Sequence, residues 1–290
     1  MEYAVAVIFY NPDEKSFQNI AVYQKVFKNI LIIDNSTMSN EEYFLNRDGI
    51  IYHFMDGNKG MAVALNKAYQ WAIDNNIDYL LTMDQDTCYP SIEIKNMFYF
   101  IEKQENQGID NICIYSANFA KQYIDNGKNL SGPLNIKRER MLECSFSMTS
   151  GSYMKVSFLK SILPIEDWFI GMIDYDVCAS IKMHYPNSRI IRYGNSVMYQ
   201  VVGEQLKNSW VNRIFRVVHL SNDRYYYMER NSLFFLEKYK EDKVLSSIMY
   251  KQRIRILINI IFENNRIQKI KSIVQGKKAF KLDERGAKTE

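Results

Sequence analysis

Short apolar runs that alternate with longer helical patterns are the sequence feature that most limits how this chain can fold. Four such runs, typical of buried strands, lie at residues 3–10, 30–33, 50–54 and 79–83. Helical patterns separate them, and the pattern at residues 61–75 places its apolar side chains on one face. Strands that alternate with helices indicate βαβ units. The sequence therefore predicts an α/β domain with a mostly parallel central sheet flanked by helices.

Polar clusters stand directly after several of the predicted strands. Asp34 follows the second apolar run, and residues 57–60 follow the third. Asp84 and Asp86 follow the fourth. Because an open α/β sheet binds its ligands at the carboxyl ends of the strands, we expect these clusters to meet at one edge. Their agreement in position is stronger evidence for a site than any single cluster.

Asp84 and Asp86 are the best candidates for a metal site. Side chains alternate along an extended strand, so these two carboxylates point the same way and can converge on one cation. Mg²⁺ and Mn²⁺ prefer such oxygen ligands, completed by water and by substrate phosphate oxygens. The structural alternative is a solvated acidic turn after a strand.

The two earlier clusters are weaker indications when each is taken alone. Asp34 is well placed to contact a nucleotide base or ribose, and a turn aspartate is the alternative. Residues 57–60 (Gly-Asn-Lys-Gly) can direct backbone N–H groups and the Lys59 side chain towards a phosphate at a helix start. They match neither the dinucleotide fingerprint nor a Walker loop.

A second acidic cluster, with Asp174 and Asp176, precedes a helix predicted to run to residue 183. A carboxylate near a helix N-terminus is favoured by the helix dipole, which gives Asp174 a structural explanation. The functional alternative is a general base that faces the metal site across a cleft. Further along, Arg224 and Arg230 lie in an aromatic-rich predicted helix and can face a diphosphate.

The charge distribution indicates an anionic partner for the C-terminal part of the chain. The formal net charge is +4, and residues 240–290 carry 13 Lys or Arg against six Asp or Glu. The amphipathic basic stretch at residues 243–275 fits either a helix in a membrane interface or a helix packed on the body. Residues 275–290 are polar and are expected to fray. Nucleic acid is not the expected partner, because no recognition motif accompanies the basic residues.

Composition limits the class of protein further. With 290 residues and 47% hydrophobic content, the chain can form a packed domain at residues 1–238 and a helical appendage at residues 239–290. Its four scattered cysteines favour free thiols in a reducing compartment. No apolar run approaches the about 18 residues of a spanning helix. The first residues lead straight into a strand, so we expect no signal peptide and a cytoplasmic location.

Several short motifs follow one another along the chain in a specific order. They are Tyr10-Asn11-Pro12, Ile33-Asp34-Asn35-Ser36, Asn58-Lys59-Gly60 followed by Ala64 and Asn66, Asp84-Gln85-Asp86, Thr149-Ser150-Gly151, Asp174-Tyr175-Asp176 with Cys178, and the helix from Arg224 to Asn231. Their order and spacing resemble those of family 2 glycosyltransferases with a GT-A fold, in particular the bacterial rhamnosyltransferase branch. The resemblance covers about residues 3–235.

The resemblance implies a role for each matching residue. Asp174 is the implied general base, and Asp84 and Asp86 are the implied ligands of Mg²⁺ or Mn²⁺. The implied donor-binding residues are Tyr10, Asn11, Asp34, Asn58, Lys59, Gly60, Asn66, Asp84, Gln85, Arg224 and Arg230. The implied acceptor-side residues are Ser150, Gly151, Trp168 and Asp176.

The resemblance also implies inverting transfer by direct displacement, with the metal as a Lewis acid towards the leaving nucleoside diphosphate. The implied donor is dTDP-rhamnose, and a UDP-hexose is the close alternative. The implied acceptor is a growing cell-surface glycan on a lipid carrier. The enzyme would then be peripheral at the inner face of the cell membrane, and a homodimer remains open.

Two positions depart from the family pattern. The family usually has His-x-x-Gly after the second acidic motif, whereas this chain has Gln200-Val201-Val202-Gly203. The histidine commonly completes the metal site, and a glutamine amide oxygen is a weaker ligand. We therefore expect Gln200 to alter metal affinity or choice. Gly171 stands where the family often has aspartate, which removes a polar contact near the acceptor.

Two rival functions fit parts of the sequence. A sugar-phosphate nucleotidyltransferase also uses a nucleotide fold and metal-binding aspartates, but it would need a glycine-rich phosphate loop that residues 5–10 do not supply. A degenerate, non-catalytic scaffold subunit of a glycan-assembly complex is favoured by Gln200 and Gly171. The presence of both candidate metal aspartates and of Asp174 opposes that alternative.

Overall fold

The computed structural model describes residues 1–125, 128–131, 141–202 and 219–288. Within these ranges one ten-stranded sheet has helices on both faces. The strands are β1 (Tyr3–Phe9), β2 (Asn29–Asp34), β3 (Ile50–Phe54), β4 (Tyr79–Asp84), β5 (Thr87–Cys88), β6 (Ile112–Asp125), β7 (Lys128–Ser131), β8 (Met141–Cys144), β9 (Ser152–Lys155) and β10 (Arg189–Val202). The helices are α1 (Glu14–Tyr23), α2 (Met61–Asp74), α3 (Ser91–Asn106), α4 (Val156–Leu159), α5 (Ile173–His184), α6 (Asn222–Lys238), α7 (Lys243–Ile261) and α8 (Arg266–Lys281).

The sheet has a parallel half and a mixed half. Its order is β3-β2-β1-β4-β9-β6-β10-β5, and β1 pairs in parallel with β2 and β4. β9 lies antiparallel between β4 and β6, while β6 and β10 are parallel. The predicted α/β fold with a central sheet flanked by helices is confirmed. The antiparallel strands β5, β7, β8 and β9 make the sheet less parallel than the apolar runs indicated.

Two hydrophobic cores, one on each face of the sheet, explain the continuous apolar runs. Along β1, Val5 and Val7 face the core formed with α1 and α3. Ala6 and Ile8 face the core formed with α2 and α5. Strands buried on both faces need apolar residues at successive positions, so the runs do not alternate with polar residues.

Strand register brings the predicted polar clusters to one edge of the sheet. Phe9 of β1 pairs with Asp34 of β2, and Ile8 of β1 pairs with Asp84 of β4. Asp34 and Asp84 therefore flank the end of β1 on its two sides. This edge is the carboxyl end of the parallel half, where open α/β sheets bind ligands.

The C-terminal region differs from its sequence-based prediction. The stretch at residues 243–275 divides into two helices, and α8 continues to Lys281 where fraying was expected. The break lies beside a buried carboxylate, Glu263, which accepts from Leu220 N at 2.7 Å and forms an ion pair with Lys269. The helices in the described ranges are all too short or too polar to cross a membrane. The division of the chain after residue 238 stays a prediction.

Candidate active site

A cleft with two lobes opens where β1 and β4 end. Its inner lobe has a volume of about 410 Å³ and contains Asp84 and Asp86. Its outer lobe, of about 570 Å³, contains Asp223 and Lys288. The residues shared by both lobes are Tyr10, Asn58, Phe169, Ile170 and Arg224. Because these residues line both lobes, the lobes are parts of one cleft.

Asp84 lies in surroundings that disfavour its negative charge. Burial, together with the charges of Asp86 and Asp174, raises the pKa of Asp84 to about 7. The positive charge of Arg224 acts in the opposite direction, and Asp84 N donates to Ser150 Oγ at 3.0 Å. Loss of hydration also raises the pKa of Asp86. Neighbouring carboxylates with raised pKa values favour a bound cation.

The oxygen donors of the inner lobe suit a hard divalent cation. Asp84 and Asp86 supply carboxylates, and the open lobe leaves room for water and substrate phosphate oxygens. Within the described ranges, no group of three or more His, Cys, Asp or Glu side chains could hold a metal by itself. Gln200 pairs with Thr87 across the β5–β10 ladder but lines neither lobe. Its role as a ligand stays a prediction, and Gly203 lies outside the described residues.

The predicted base-binding aspartate, Asp34, is fully buried beneath a turn. It accepts hydrogen bonds from Ser36 N at 3.0 Å, from Asn40 N at 3.1 Å and from the Tyr52 hydroxyl. Burial alone would raise the pKa of Asp34, but these bonds lower it below the ordinary 3.8. Asp34 thus fixes the turn that follows β2, as in the structural alternative. Its contact with a base stays a prediction.

Hydrogen bonds between polar groups tie the strand ends together at the cleft. Gln85 Oε1 accepts from Tyr10 N at 2.7 Å, and Gln85 Nε2 donates to Tyr10 O at 3.2 Å. Asn11 N donates to Ser36 Oγ at 2.7 Å. Tyr10 and Gln85 line the inner lobe, whereas Asn11 stabilises the adjoining turn. The motif residues therefore shape the end of β1 as well as its surface.

The loop at residues 57–60 positions the cleft through its backbone. Asn58 Oδ1 accepts from Gly60 N at 3.0 Å. Gly60 adopts φ 90°, and a Cβ there would lie 2.7 Å from Phe169 Cδ2, so this position requires glycine. Asn58 and Gly60 line the inner lobe, whereas Lys59 is exposed and lines neither lobe. The predicted phosphate contact of Lys59 stays a prediction.

Asp174 lies in the first turn of α5 and connects to the inner lobe through a short segment. Its Oδ1 accepts from Thr149 N at 2.7 Å. The next residue, Ser150, accepts from the backbone of Asp84, and Gly151 then turns the chain into β9 with φ 77°. Burial raises the pKa of Asp174. Asp174 lines neither lobe, so its role as a general base stays a prediction.

Two predicted acceptor-side residues are buried away from the cleft, which corrects that prediction. Asp176 is 1% exposed, and its Oδ1 accepts from Lys238 Nζ at 2.7 Å. Trp168 is also 1% exposed, and its backbone oxygen accepts from Asn231 Nδ2 at 2.7 Å. Residues two apart on a helix lie on different faces, so α5 directs Asp176 away from Asp174.

The two arginines of α6 have different environments. Arg224 is exposed and lines both lobes, where its charge faces Asp84. Arg230 is 1% exposed, and its Nε donates to Asn231 Oδ1 at 2.9 Å. Its guanidinium lies 5.0 Å from the ring centre of Tyr227, a residue of the outer lobe. Arg230 was predicted to face a diphosphate, but it is buried behind the cleft wall and supports that wall.

The loop at residues 165–170 is a cleft wall, and Trp168 is the one residue of it that was predicted from the sequence to belong to the site. Phe169 lines both lobes. Asn231 Nδ2 donates to two backbone oxygens of this loop, at 2.7 and 2.9 Å. Asn66, predicted to bind the donor, instead bonds the backbone N and O of the first loop residue at 2.8 and 3.0 Å. The sequence signal for this contact was Asn66 itself, an amide among the apolar residues of α2, because amide groups inside a protein are usually hydrogen-bonded.

Solved structures of glycosyltransferases share this fold, which is the GT-A fold. Staphylococcus aureus TarS 1–349 in complex with UDP-GlcNAc matches with a TM-score of 0.53 at 16% identity, covering 81% of this chain and 67% of the TarS chain. GalNAc-T7 with UDP, GalNAc and Mn²⁺ matches with a TM-score of 0.51 at 11% identity, covering 69% and 44%. These likenesses show the fold alone.

The family follows from the sequence match. The model for glycosyl transferase family 2 matches residues 15–163, just over half of the chain, so the chain belongs to this family. A curated relative, poly-beta-1,6-N-acetyl-D-glucosamine synthase of Staphylococcus aureus, is 24% identical over 213 residues. The match covers 69% of this chain and 49% of the relative, so the chain spans about half the length of such relatives. The predicted fold and family are confirmed, and the rhamnosyltransferase branch stays a prediction.

Proposed function

We propose that this glycosyltransferase binds a nucleoside-diphosphate sugar in the two-lobed cleft and transfers the sugar with inversion. The observation that supports this most is the meeting of Asp84, Asp86 and Arg224 in the inner lobe. Two carboxylates supply ligands for a cation, and a guanidinium beside them can pair with a diphosphate. The TarS structure in the same fold class contains UDP-GlcNAc.

The proposed donor is dTDP-rhamnose, and the proposed acceptor is a hydroxyl of a growing cell-surface glycan on a lipid carrier. The motif resemblance to the rhamnosyltransferase branch supports this donor. A UDP-hexose is the second candidate. It is favoured by the two related structures, which contain UDP-GlcNAc or UDP with GalNAc.

Asp84 and Asp86 are the residues that would hold Mg²⁺ or Mn²⁺ beside the diphosphate. A cation bound there would act as a Lewis acid that stabilises charge on the leaving group. The raised pKa of Asp84, caused by burial and by two neighbouring carboxylates, supports such a site. Arg224 would neutralise further charge of the diphosphate from the same lobe.

Asp174 is the proposed general base. Its carboxylate takes the proton of the acceptor hydroxyl while the acceptor oxygen bonds to the anomeric carbon. The bond from that carbon to the diphosphate oxygen breaks in the same step, so no covalent enzyme intermediate forms. Burial raises the pKa of Asp174, which strengthens it as a base. Thr149 N fixes the orientation of one carboxylate oxygen.

Helices α7 and α8 are proposed to hold the protein at the inner face of the cell membrane, near a lipid-linked acceptor. Each helix has exposed apolar side chains along one face: Tyr250, Ile254, Leu257 and Ile261 on α7, and Ile267, Ile270 and Val274 on α8. Residues 243–281 contain ten Lys or Arg and one Asp or Glu. This composition favours an anionic lipid surface. The positive charge of α7 and α8 opposes a homodimer in which these helices of two copies face each other.

Calorimetric titration with dTDP, UDP and GDP, each with Mn²⁺, Mg²⁺ or EDTA, tests the proposed function. The expected result is metal-dependent binding that is selective for dTDP and is lost in Asp86→Ala. Selectivity for UDP would support the second candidate donor. Failure of all three nucleotides to bind would contradict the proposal and favour a non-catalytic scaffold subunit.

A further inference from the structure

The chain that follows α8 returns to the cleft. Residues 282–288, called here the C-terminal segment, pack against the loop that lines both lobes. Arg285 forms an ion pair with Glu166, and its guanidinium lies 3.9 Å from the ring centre of Phe234. An ion pair and a stacked guanidinium together fix the position of this segment.

Gly286 allows the C-terminal segment to approach this loop closely. Its N–H donates to Asp167 O at 3.3 Å. It adopts φ 68°, in the left-handed region, and a Cβ would lie 2.9 Å from Asp167 Oδ2. A side chain at this position would therefore be strained, and the docked path depends on glycine.

The C-terminal segment ends as a wall of the outer lobe. Ala287 and Lys288 line this lobe together with Arg224. Lys288 N donates to the Tyr227 hydroxyl at 2.7 Å, which places the residue. Its Nζ lies 3.5 Å from Asp223 Oδ1, and both side chains are partly exposed, so the ion pair is weak. The ammonium group therefore remains available to an anionic ligand.

We propose that the C-terminal segment is a fixed wall of the substrate cleft and that Lys288, with Arg224, binds a diphosphate ester. This inference rests on the proposed function and names a further binding residue for it. Arg224 offers a planar fork of donors and Lys288 a compact point charge, which together suit a diphosphate group. The diphosphate belongs either to the nucleotide donor or to a prenyl diphosphate that carries the acceptor.

Calorimetry on the full chain with Lys288→Gln tests this inference. The ligands are dTDP, UDP, farnesyl diphosphate and, as uncharged references, the nucleosides thymidine and uridine. We expect Lys288→Gln to weaken, by about tenfold, the binding of whichever diphosphate occupies the outer lobe. Binding of the two nucleosides should not change, because they carry no phosphate. Weaker nucleoside binding would instead indicate a structural defect.

Matched variants separate the roles of the charge and the segment. Lys281→Gln removes one exposed charge from α8, a helix that lines neither lobe. This variant should bind the diphosphates as tightly as the wild type does. Gly286→Val should displace the segment and reproduce the effect of Lys288→Gln. Unchanged affinity for every diphosphate in both Lys288→Gln and Gly286→Val would overturn the inference.

The proposed function and the inference fail in different ways. If the wild type binds no nucleoside diphosphate while farnesyl diphosphate binding depends on Lys288, the inference holds and the proposed function fails. If nucleotide binding is lost in Asp86→Ala but is unaffected in Lys288→Gln, and farnesyl diphosphate is also unaffected, only the inference fails. If no diphosphate binds the wild type, both fail.

Discussion

Asp174 and Asp176 lie two positions apart on α5 and have different roles. Asp174 is the proposed general base, whereas Asp176 stabilises the fold. Asp174 is half-buried and accepts one bond from Thr149 N. Asp176 is almost fully buried and accepts from Lys238 Nζ and from Tyr239 OH at 2.6 Å. Substitutions at the two positions should therefore have different consequences.

Asp174→Asn removes the proposed proton acceptor with little change of shape. We expect kcat for sugar transfer to fall by about 10²–10⁴-fold, because a general base contributes about this much. The affinity for nucleoside diphosphate, measured by calorimetry, should stay near the wild-type value. Near-normal turnover would remove Asp174 from the mechanism.

The matched control is Asp176→Asn. It weakens the ion pair with Lys238 inside the protein, so the free energy of unfolding in urea should fall by roughly 1–3 kcal/mol. The folded variant should keep a kcat close to that of the wild type. A large loss of kcat with unchanged stability would show that Asp176 belongs to the reaction instead.

The sequence predicted the acids of the cleft better than the residues around them. Asp84 ends β4 and Asp86 lies in the turn directly after it, so the alternation of strands and helices was enough to place both at the sheet edge. Trp168, Asn66 and Arg230 lie in loops or helices, where the direction depends on packing that spacing does not reveal. Each was predicted to contact substrate, and each supports the cleft from within the protein.

Helices α6 and α8 cross at a very short distance around Gly276. A Cβ at this residue would lie 3.2 Å from Arg230 N and closer still to Tyr226 O, and backbone atoms cannot yield easily. Gly276→Val should therefore lower the free energy of unfolding by roughly 1–3 kcal/mol through overpacking. Thermal or urea unfolding measures this change.

Gln275→Val supplies the control for this crossing. Gln275 is exposed on the same helix, so valine there changes helix propensity without adding a contact to α6. Its effect on unfolding should be well below that of Gly276→Val. Equal effects at the two positions would mean that the α6–α8 contact contributes little to stability.

The turn between α7 and α8 contains a pH-sensitive carboxylate. Burial alone would raise the pKa of Glu263, but bonds from Lys269, His219 and Leu220 N lower it below the ordinary 4.5. A lowered pKa in the folded state means that the charged form stabilises the fold above pH of about 4.5. That stability is lost as the pH falls below this value.

Glu263→Gln should abolish this contribution. We expect the variant to lose roughly 2–4 kcal/mol at neutral pH, because Lys269 and His219 lose their charged partner. Urea unfolding between pH 3 and pH 7 should show a smaller dependence on pH than in the wild type. Parallel pH profiles for the two proteins would contradict this assignment.

Elements with a strong pattern were predicted best. The strands β1 to β4 and the amphipathic helix α2 were found close to their predicted bounds, because continuous apolar runs mark the strands and a helical period marks α2. β9 is four residues long and begins with a serine, so its sequence carried no strand period. The break between α7 and α8 depends on tertiary bonds of Glu263, which sequence spacing does not show.

For the whole molecule, the apolar faces of α7 and α8 predict binding to anionic membranes. The double variant Ile254→Asn with Leu257→Asn should reduce flotation with phosphatidylglycerol vesicles by about tenfold or more, because it removes apolar area that would enter the interface. Ile92→Asn on α3 is the control, since Ile92 is 63% exposed and lies on a distant element of the sequence. It should float like the wild type.

Two outcomes would count against the membrane proposal. One is equal flotation of the double variant and the wild type. The other is a wild-type dimer in solution that the double variant converts to a monomer, because a second copy would then cover the apolar faces. Sedimentation velocity on the same samples distinguishes these outcomes.

The cleft as a whole joins parts of the chain that lie far apart. Its walls come from the end of β1, the loop at residues 165–170, the start of α6 and the C-terminal segment. The strand ends could be predicted from βαβ alternation, which fixes one edge of the sheet. The other walls depend on helix packing, so no sequence pattern indicated that Lys288 lies at the cleft.

A crystal structure of the protein with dTDP and Mn²⁺ is the decisive test of the proposed cleft. We expect the diphosphate in the inner lobe, with the cation on Asp84 and Asp86 and with Arg224 in contact with phosphate oxygens. A nucleotide bound outside this cleft, or a diphosphate that contacts neither the acids through a cation nor Arg224, would contradict this expectation.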